Sequence, residues 1–187
     1  MKFYKFLIVS VLAFLAGCAT SPQQVQVAPV LMLDSLKDVT LPIELVVTDK
    51  RDNVALLGYR NAKQEGEITF SESVSKSLGE KIQSALIYQG INMTKGPQPF
   101  THLEVELYEL SYTSPDETWV SGIEMNAEIL VIVKRSGASL KKRFKSNRKQ
   151  DVVTAPSQEF NEGFMNALLS ELINKALNDK EIVNFLK

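Results

Sequence analysis

The sequence predicts an α+β fold: a two-layer sandwich in which a mixed, mainly antiparallel sheet carries two helices packed on one face. Three observations predict it. Apolar and polar residues alternate with period two through Leu103–Leu107, Ile123–Val133 and Leu140–Val153, as half-buried strands require. Two segments, 74–86 and 160–177, repeat their apolar residues at helical spacing instead. The order is strands, helix, three-strand meander, helix, which brings strands from both halves of the chain into one sheet.

Taken in order, Ile43-Glu44-Leu45-Val46-Val47-Thr48 is rich in β-branched residues and reads as a strand. Pro42 suits its first position, where no ladder donor is lost. Val54–Tyr59 and Glu67–Phe70 are two short strands about a turn at Gln64-Glu65-Gly66. Ser71 is the expected cap of the first helix, with Glu72 favourable in its first turn. Val74, Leu78, Ile82, Ala85 and Leu86 form the helix's apolar stripe, and Gly90 stops it. The first strand can then pair parallel to a later one across this helix. In the meander the alternation slips at Tyr108, where a bulge would re-aim Leu110 and Tyr112. Ser136-Gly137-Ala138 is a hairpin turn, and Phe144 on the returning strand faces the core. Pro156 or Ser157 opens a long helix whose stripe reads Phe160, Phe164, Leu168, Leu172 and Ala176, widened by Leu169, Ile173 and Leu177. A short helix, Glu181–Leu186, follows Asn178-Asp179.

The amino terminus has a different organisation. Lys2 and Lys5 precede an apolar run from Phe6 to Ala16, and small residues lead into Cys18, the only cysteine. A positive start, a short apolar core and a small-residue cut site are the parts of a secretory signal. The run falls short of the roughly 20 apolar residues a membrane-spanning helix needs. Leu15-Ala16-Gly17-Cys18 resembles the lipobox of bacterial lipoproteins. That resemblance implies removal of residues 1–17 and a diacylglycerol thioether with N-acylation on Cys18. A thiol suits this chemistry because its thiolate is a strong nucleophile. Two or more acyl chains then hold where one would not. Ala19 after the cysteine, in place of aspartate, resembles an outer-membrane address. Residues 18–40 are expected to be a lipidated cysteine and flexible tether, mobile in its first half and able to pair as an edge strand in the apolar second half (Val25, Val27, Val30 and Leu31-Met32-Leu33), and 41–187 a single globular domain. Over 22 residues such a tether would span about 25 Å r.m.s..

Charge and motifs narrow the function classes. The chain of 187 residues carries 21 basic and 22 acidic side chains; loss of Lys2 and Lys5 leaves 19 and 22. No basic footprint for nucleic acid results. His102 is the only histidine and no cysteine pair exists, so no zinc motif is present and no cofactor or metal is expected. Neither a Gly-rich phosphate loop nor a Gly-x-Ser-x-Gly elbow occurs. Glu104 with Glu106, and Glu124 with Glu128, are same-face carboxylate pairs that a solvated sheet face also explains. Lys134, Lys141, Arg143 and Lys145 should share one face of the hairpin. They either pair across strands with Glu104, Glu106, Glu124 or Glu128, or meet an anionic partner. Trp119, alone in a polar loop, either caps the core or anchors an interface.

Over nearly its whole length the chain resembles the YajG-like family of uncharacterised bacterial outer-membrane lipoproteins. The lipobox carries the resemblance, with Val25-Gln26-Val27-Ala28-Pro29, Tyr88-Gln89-Gly90-Ile91 and the tail Asp179-Lys180-Glu181-Ile182-Val183-Asn184-Phe185-Leu186-Lys187. The resemblance implies an outer-membrane address and no established activity. The expected function is therefore non-catalytic: a periplasm-facing binding or accessory domain, held to the membrane by its lipid anchor, that meets an envelope protein partner. Two other functions would each make a further demand on the structure. A lipid or glycan carrier needs an apolar groove between sheet and helices, and a hydrolase needs acid, base or nucleophile converging in a cleft.

Overall fold

The computed structural model describes residues 21–36, 39–93, 101–114 and 121–187. Seven strands form one open mixed sheet: β1 (Gln23–Val25), β2 (Ile43–Asp49), β3 (Leu56–Tyr59), β4 (Glu67–Phe70), β5 (Thr101–Thr113), β6 (Ser121–Arg135) and β7 (Ala138–Val152). The helices are α1 (Val74–Tyr88), α2 (Gln158–Leu177) and α3 (Lys180–Leu186). The class is α+β as expected, and the short helix expected at Glu181–Leu186 is the third of the α-helices among the described residues.

The sheet runs β1-β4-β3-β5-β6-β7, and β2 joins it on β5. β5 is the axis. Its first half pairs parallel with all of β2, Ile43 opposite Thr101 through Asp49 opposite Leu107. Further along, β3 takes over the same edge, parallel, with Gly58 opposite Tyr112. The handover falls at the predicted bulge, where the β5–β6 register shifts between Leu107 and Glu109. The extra residue swings the inward phase from Leu103, Val105 and Leu107 to Leu110 and Tyr112, and all five are buried. Arg51, in the turn after β2, closes the gap. Its guanidinium is held by both Asp49 oxygens, at 2.9 and 2.7 Å. It donates onward to the carbonyls of Val54, Leu56 and Leu110, so carbonyls left over where one edge strand stops and the next begins find a donor.

The β6–β7 hairpin turns at Ser136 and Gly137 with φ of 50° and 81°, the left-handed pair that matches strand twist. Ile123, Met125, Ala127, Ile129, Val131 and Val133 face inward with Phe144 across from Ile129. α1 packs on β2; α2 packs on β1, β6 and β7; α3 packs on β6 and β7.

Three local expectations are corrected. The cap of α1 is Ser73, whose side chain accepts from Lys76 N, because Ser71 N is still bonded to Val25 O at the end of β4. In α2 the expected Leu168, Leu169, Leu172, Ile173, Ala176 and Leu177 face inward, but the first turns contribute Met165 rather than Phe160 and Phe164. Phe160 is 39% exposed and stacks on Phe164 at 5.8 Å. Third, the tether expected to reach Thr40 is folded from Ser21 to Leu36. Its odd residues Val25, Val27 and Leu33 are buried, as is Leu36 in a short 3-10 turn, Asp34–Leu36.

Gly58 sits where β3 meets β5, and a Cβ there would lie 2.3 Å from Tyr112 O. Backbone cannot move aside as a side-chain tip can. Gly58→Ala is therefore expected to lower stability by about 1–3 kcal/mol, seen as a lower urea midpoint with unchanged slope. An unchanged midpoint would contradict the pairing.

Candidate functional site

The segment that follows Cys18 is bound along α2 by a repeated polar ladder. Backbone N–H groups of Gln24, Gln26, Ala28, Val30, Met32 and Ser35 donate to side chains of Gln158, Glu162, Asn166, Ser170, Asn174 and Asn178. The distances run from 2.7 to 3.4 Å. Three amides also return a bond: Asn166 to Gln26 O, Asn174 to Val30 O and Asn178 to Met32 O. The spacing explains the register. Two residues of extended chain advance about 6.5 Å, and four residues of helix advance about 6 Å. One side chain per helical turn thus meets every second amide from Gln24 to Met32, and the last rung skips one further residue to Ser35. Pro29, which has no N–H, falls in the phase that makes no ladder bond.

The strap begins at a buried polar knot. Arg60 is 7% exposed and donates to Ser21 O and Oγ, both at 3.1 Å, and to Pro156 O. Gln23 donates to Pro156 O at 3.0 Å and accepts from Asn161 Nδ2 at 2.7 Å. Nearby on β5, burial pushes the Tyr112 hydroxyl up to about 12, against a smaller downward pull from Arg60.

On the sheet face away from the core, acids and bases pair across strands. Lys134 meets Glu104 at 2.6 Å, Lys149 meets Glu124 at 3.1 Å, and Lys50 meets Glu106 at 3.8 Å. Arg143 and Lys145 both hold Glu128, which is 8% exposed. Arg143 also lies over the Tyr108 ring, 4.7 Å from its centroid. Hydrogen bonds from Lys145 and then Arg143 hold the Glu128 carboxyl below its usual range, and Lys149 with Asn147 does the same for Glu124. Lys141 is exposed and lies opposite Ile132. The four basic residues therefore do share a face, and three of them are engaged by that face's own acids. His102 Nδ1 lies 2.8 Å from Glu44 Oε2, its register partner on β2. Trp119 and Cys18 lie outside the described residues.

A further clasp was not visible in the sequence. Lys142, on the core side of β7, bonds both Asp179 oxygens and Glu181, tying the edge strand to the α2–α3 junction. Burial alone would raise the Asp179 carboxyl, but Lys142 and the α3 backbone amides outweigh it and hold it low. Among the described residues no group of three His, Cys, Asp or Glu side chains could hold a metal ion. Shallow clefts open at the surface. One of about 450 Å³ lies between the strap and α1, lined by Pro29, Leu31, Met32, Ala85 and Tyr88.

A family model described as an uncharacterized lipoprotein matches residues 36–187. The chain belongs to this lipoprotein family. Membership makes it a membrane-anchored protein of the cell envelope. No curated protein matches the lipoprotein in sequence. Among solved structures, one of an uncharacterized protein is 12% identical, covering 84% of this lipoprotein and 99% of its own chain with a TM-score of 0.52. A protein from Xanthomonas campestris is 11% identical over 89% of this chain and 93% of its own, with a TM-score of 0.44. A minor lipoprotein from Acinetobacter baumannii is 8% identical over 74% and 88%, with a TM-score of 0.37. The first likeness is one of fold.

Asn166→Ala isolates the ladder. It removes the bonds to Ala28 N and Gln26 O, together about 1–3 kcal/mol, while alanine's better helix propensity returns about 0.5 kcal/mol. The expected outcome is a net loss of stability in urea unfolding. A gain would mean that Asn166 is an ordinary solvated helix residue.

Proposed function

We propose that this lipoprotein is a non-catalytic, periplasm-facing accessory domain of the outer membrane that meets another envelope protein, and that it belongs with the YajG-like lipoproteins. Cys18 carries the thioether-linked diacylglycerol and the N-acyl chain. In this reading the sheet and helices form two layers, with the helices on one face and the charge-paired strands on the other. The observation that carries the proposal is the ladder on α2. Six polar side chains of one helix are given to holding the stretch that leads out of Cys18, which ties the position of the domain to its anchor.

Two features favour a binding role over a catalytic one. The carboxylates that could have formed an acid–base pair are each held by a cation or hydroxyl, Glu104 by Lys134, Glu106 by Lys50 and Tyr108, and Glu128 by two bases. General acid–base work needs one such group uncommitted near a substrate. A carrier would need room between sheet and helices. There Leu103, Val105, Leu107, Met125, Ile129 and Val131 from the sheet, with Leu168, Leu169 and Leu172 from α2, are each 0–1% exposed, so this interface is filled.

Cys18→Ser is expected to leave a precursor that keeps residues 1–17, lacks the acyl mass and no longer fractionates with the outer membrane. Intact-mass analysis of the wild-type protein showing an unmodified Cys18 would overturn the proposal.

A further inference from the structure

The strap brings the folded body to within three residues of Cys18, and this has a geometric consequence. Ser21 is pinned by Arg60 at one end of the sheet. That end also carries the Arg60–Gly66 loop, the last residues of β5 and β7, and the start of α2. These elements are placed together because β3 and β5 run parallel toward it, β6 starts there opposite the end of β7, and Pro156 O accepts from both Arg60 and Gln23. Three residues of fully extended chain span at most about 11 Å. The headgroup layer of one leaflet takes up about 5–8 Å of that, as half the difference between full and hydrocarbon thickness. Only a few ångströms of clearance remain.

We infer that this end of the lipoprotein is a membrane-apposed surface, seated on phospholipid headgroups by the acyl chains of Cys18. The inference rests on the lipidation of Cys18 proposed above. The chemistry of the end suits such a partner. Ala62, Gln64, Thr154 and Ala155 are exposed and uncharged, Lys63 and Glu65 offset each other, and the exposed acids Glu67, Asp151 and Glu159 leave the end net negative, which suits the outward ammonium groups of zwitterionic headgroups. Val153 is 84% exposed, an apolar side chain that a headgroup surface would cover. The same geometry sets the far end. Strand β6, Ser121–Arg135, rises about 3.3 Å per residue, which puts the Ser136–Gly137 turn roughly 50 Å from the membrane-apposed end. The charged sheet face then stands along the membrane normal, and the hairpin tip points into the periplasm.

The test uses the mature lipidated protein, beginning at Cys18, in phosphatidylcholine vesicles doped with a headgroup-attached quencher lipid. The chain has one cysteine, so with its sulfur acylated an introduced cysteine is the sole labelling site. Ala62→Cys and Ser139→Cys, both at exposed positions, each receive a thiol-reactive fluorophore. The expected result is flotation of both proteins with the vesicles and quenching several-fold greater at position 62 than at 139. Flotation with equal quenching at the two positions overturns the orientation and leaves the anchor standing. Failure to float, with an unmodified Cys18 mass, overturns the anchor and the orientation with it.

Discussion

An extended chain lying on a helix has a backbone problem. Its amides and carbonyls leave water on one side, and the helix has spent its own backbone groups internally. Here side chains solve it. Asn, Ser, Gln and Glu at every fourth position from Gln158 to the capping residue Asn178 reach out once per turn, and the near match of about 6 Å to 6.5 Å lets the series hold over six rungs. With the backbone satisfied, Val25, Val27 and Leu33 can be buried from a segment that would otherwise be linker. At about 25 cal/mol per Å² of apolar surface, each such side chain contributes about 1.5–3 kcal/mol at most. That burial offsets part of the ordering cost of about 1–2 kcal/mol per residue, and the ladder bonds and the pairing of β1 with β4 offset more of it.

The rest of the architecture depends on that same edge. β1 pairs with β4 in parallel, Gln23 opposite Ile68 to Val25 opposite Phe70, so the strap is both a sheet strand and the partner of α2. Through β4 and β3 it connects to the long β5, whose bulge lets one strand serve two neighbours on one edge. The opposite side of the sheet is arranged around charge. Its cross-strand pairs are largely exposed, and exposed pairs add little stability. They do fix register, because a one-residue slip would bring core residues out and the paired acids and bases in.

Much of the fold was legible because it rests on period and punctuation. The β5 bulge appears as a phase change at Tyr108, the hairpin as Ser136-Gly137, and the parallel β2–β5 pair as two strands separated by a helix. The cross-strand ion pairs were visible as well, since alternation puts Lys134, Arg143 and Lys145 on one face with Glu104 and Glu128. The strap was not, for a physical reason. Ser21–Gln24 have the polar, Pro-containing composition of a linker, Val25 to Leu33 read only as a possible edge strand, and their partners on α2 lie some 135–145 residues away, as Ala28 and Asn166 do. A signal existed on the helix. Asn166, Ser170, Asn174 and Asn178 are poor helix formers recurring every fourth position, where an exposed face would more often carry Lys or Glu. Apolar residues at the alternate positions Val25, Val27, Pro29, Leu31 and Leu33 were the matching half. The Ser73 cap was missed because nothing local distinguishes it from Ser71; what decides is the bond from Ser71 N to Val25 O, again made by the strap.

A family of membrane-anchored envelope proteins can use a tail either as a free leash or as a fixed mount, and the ladder makes this one a mount. Native-state hydrogen exchange on the mature protein tests that most directly. The amides of Ala28, Val30 and Met32 should exchange nearly as slowly as those in the middle of α2, because they open only when the helix and sheet do. Exchange of these amides at free-chain rates, while α2 stays protected, would show that the strap is not part of the folded body.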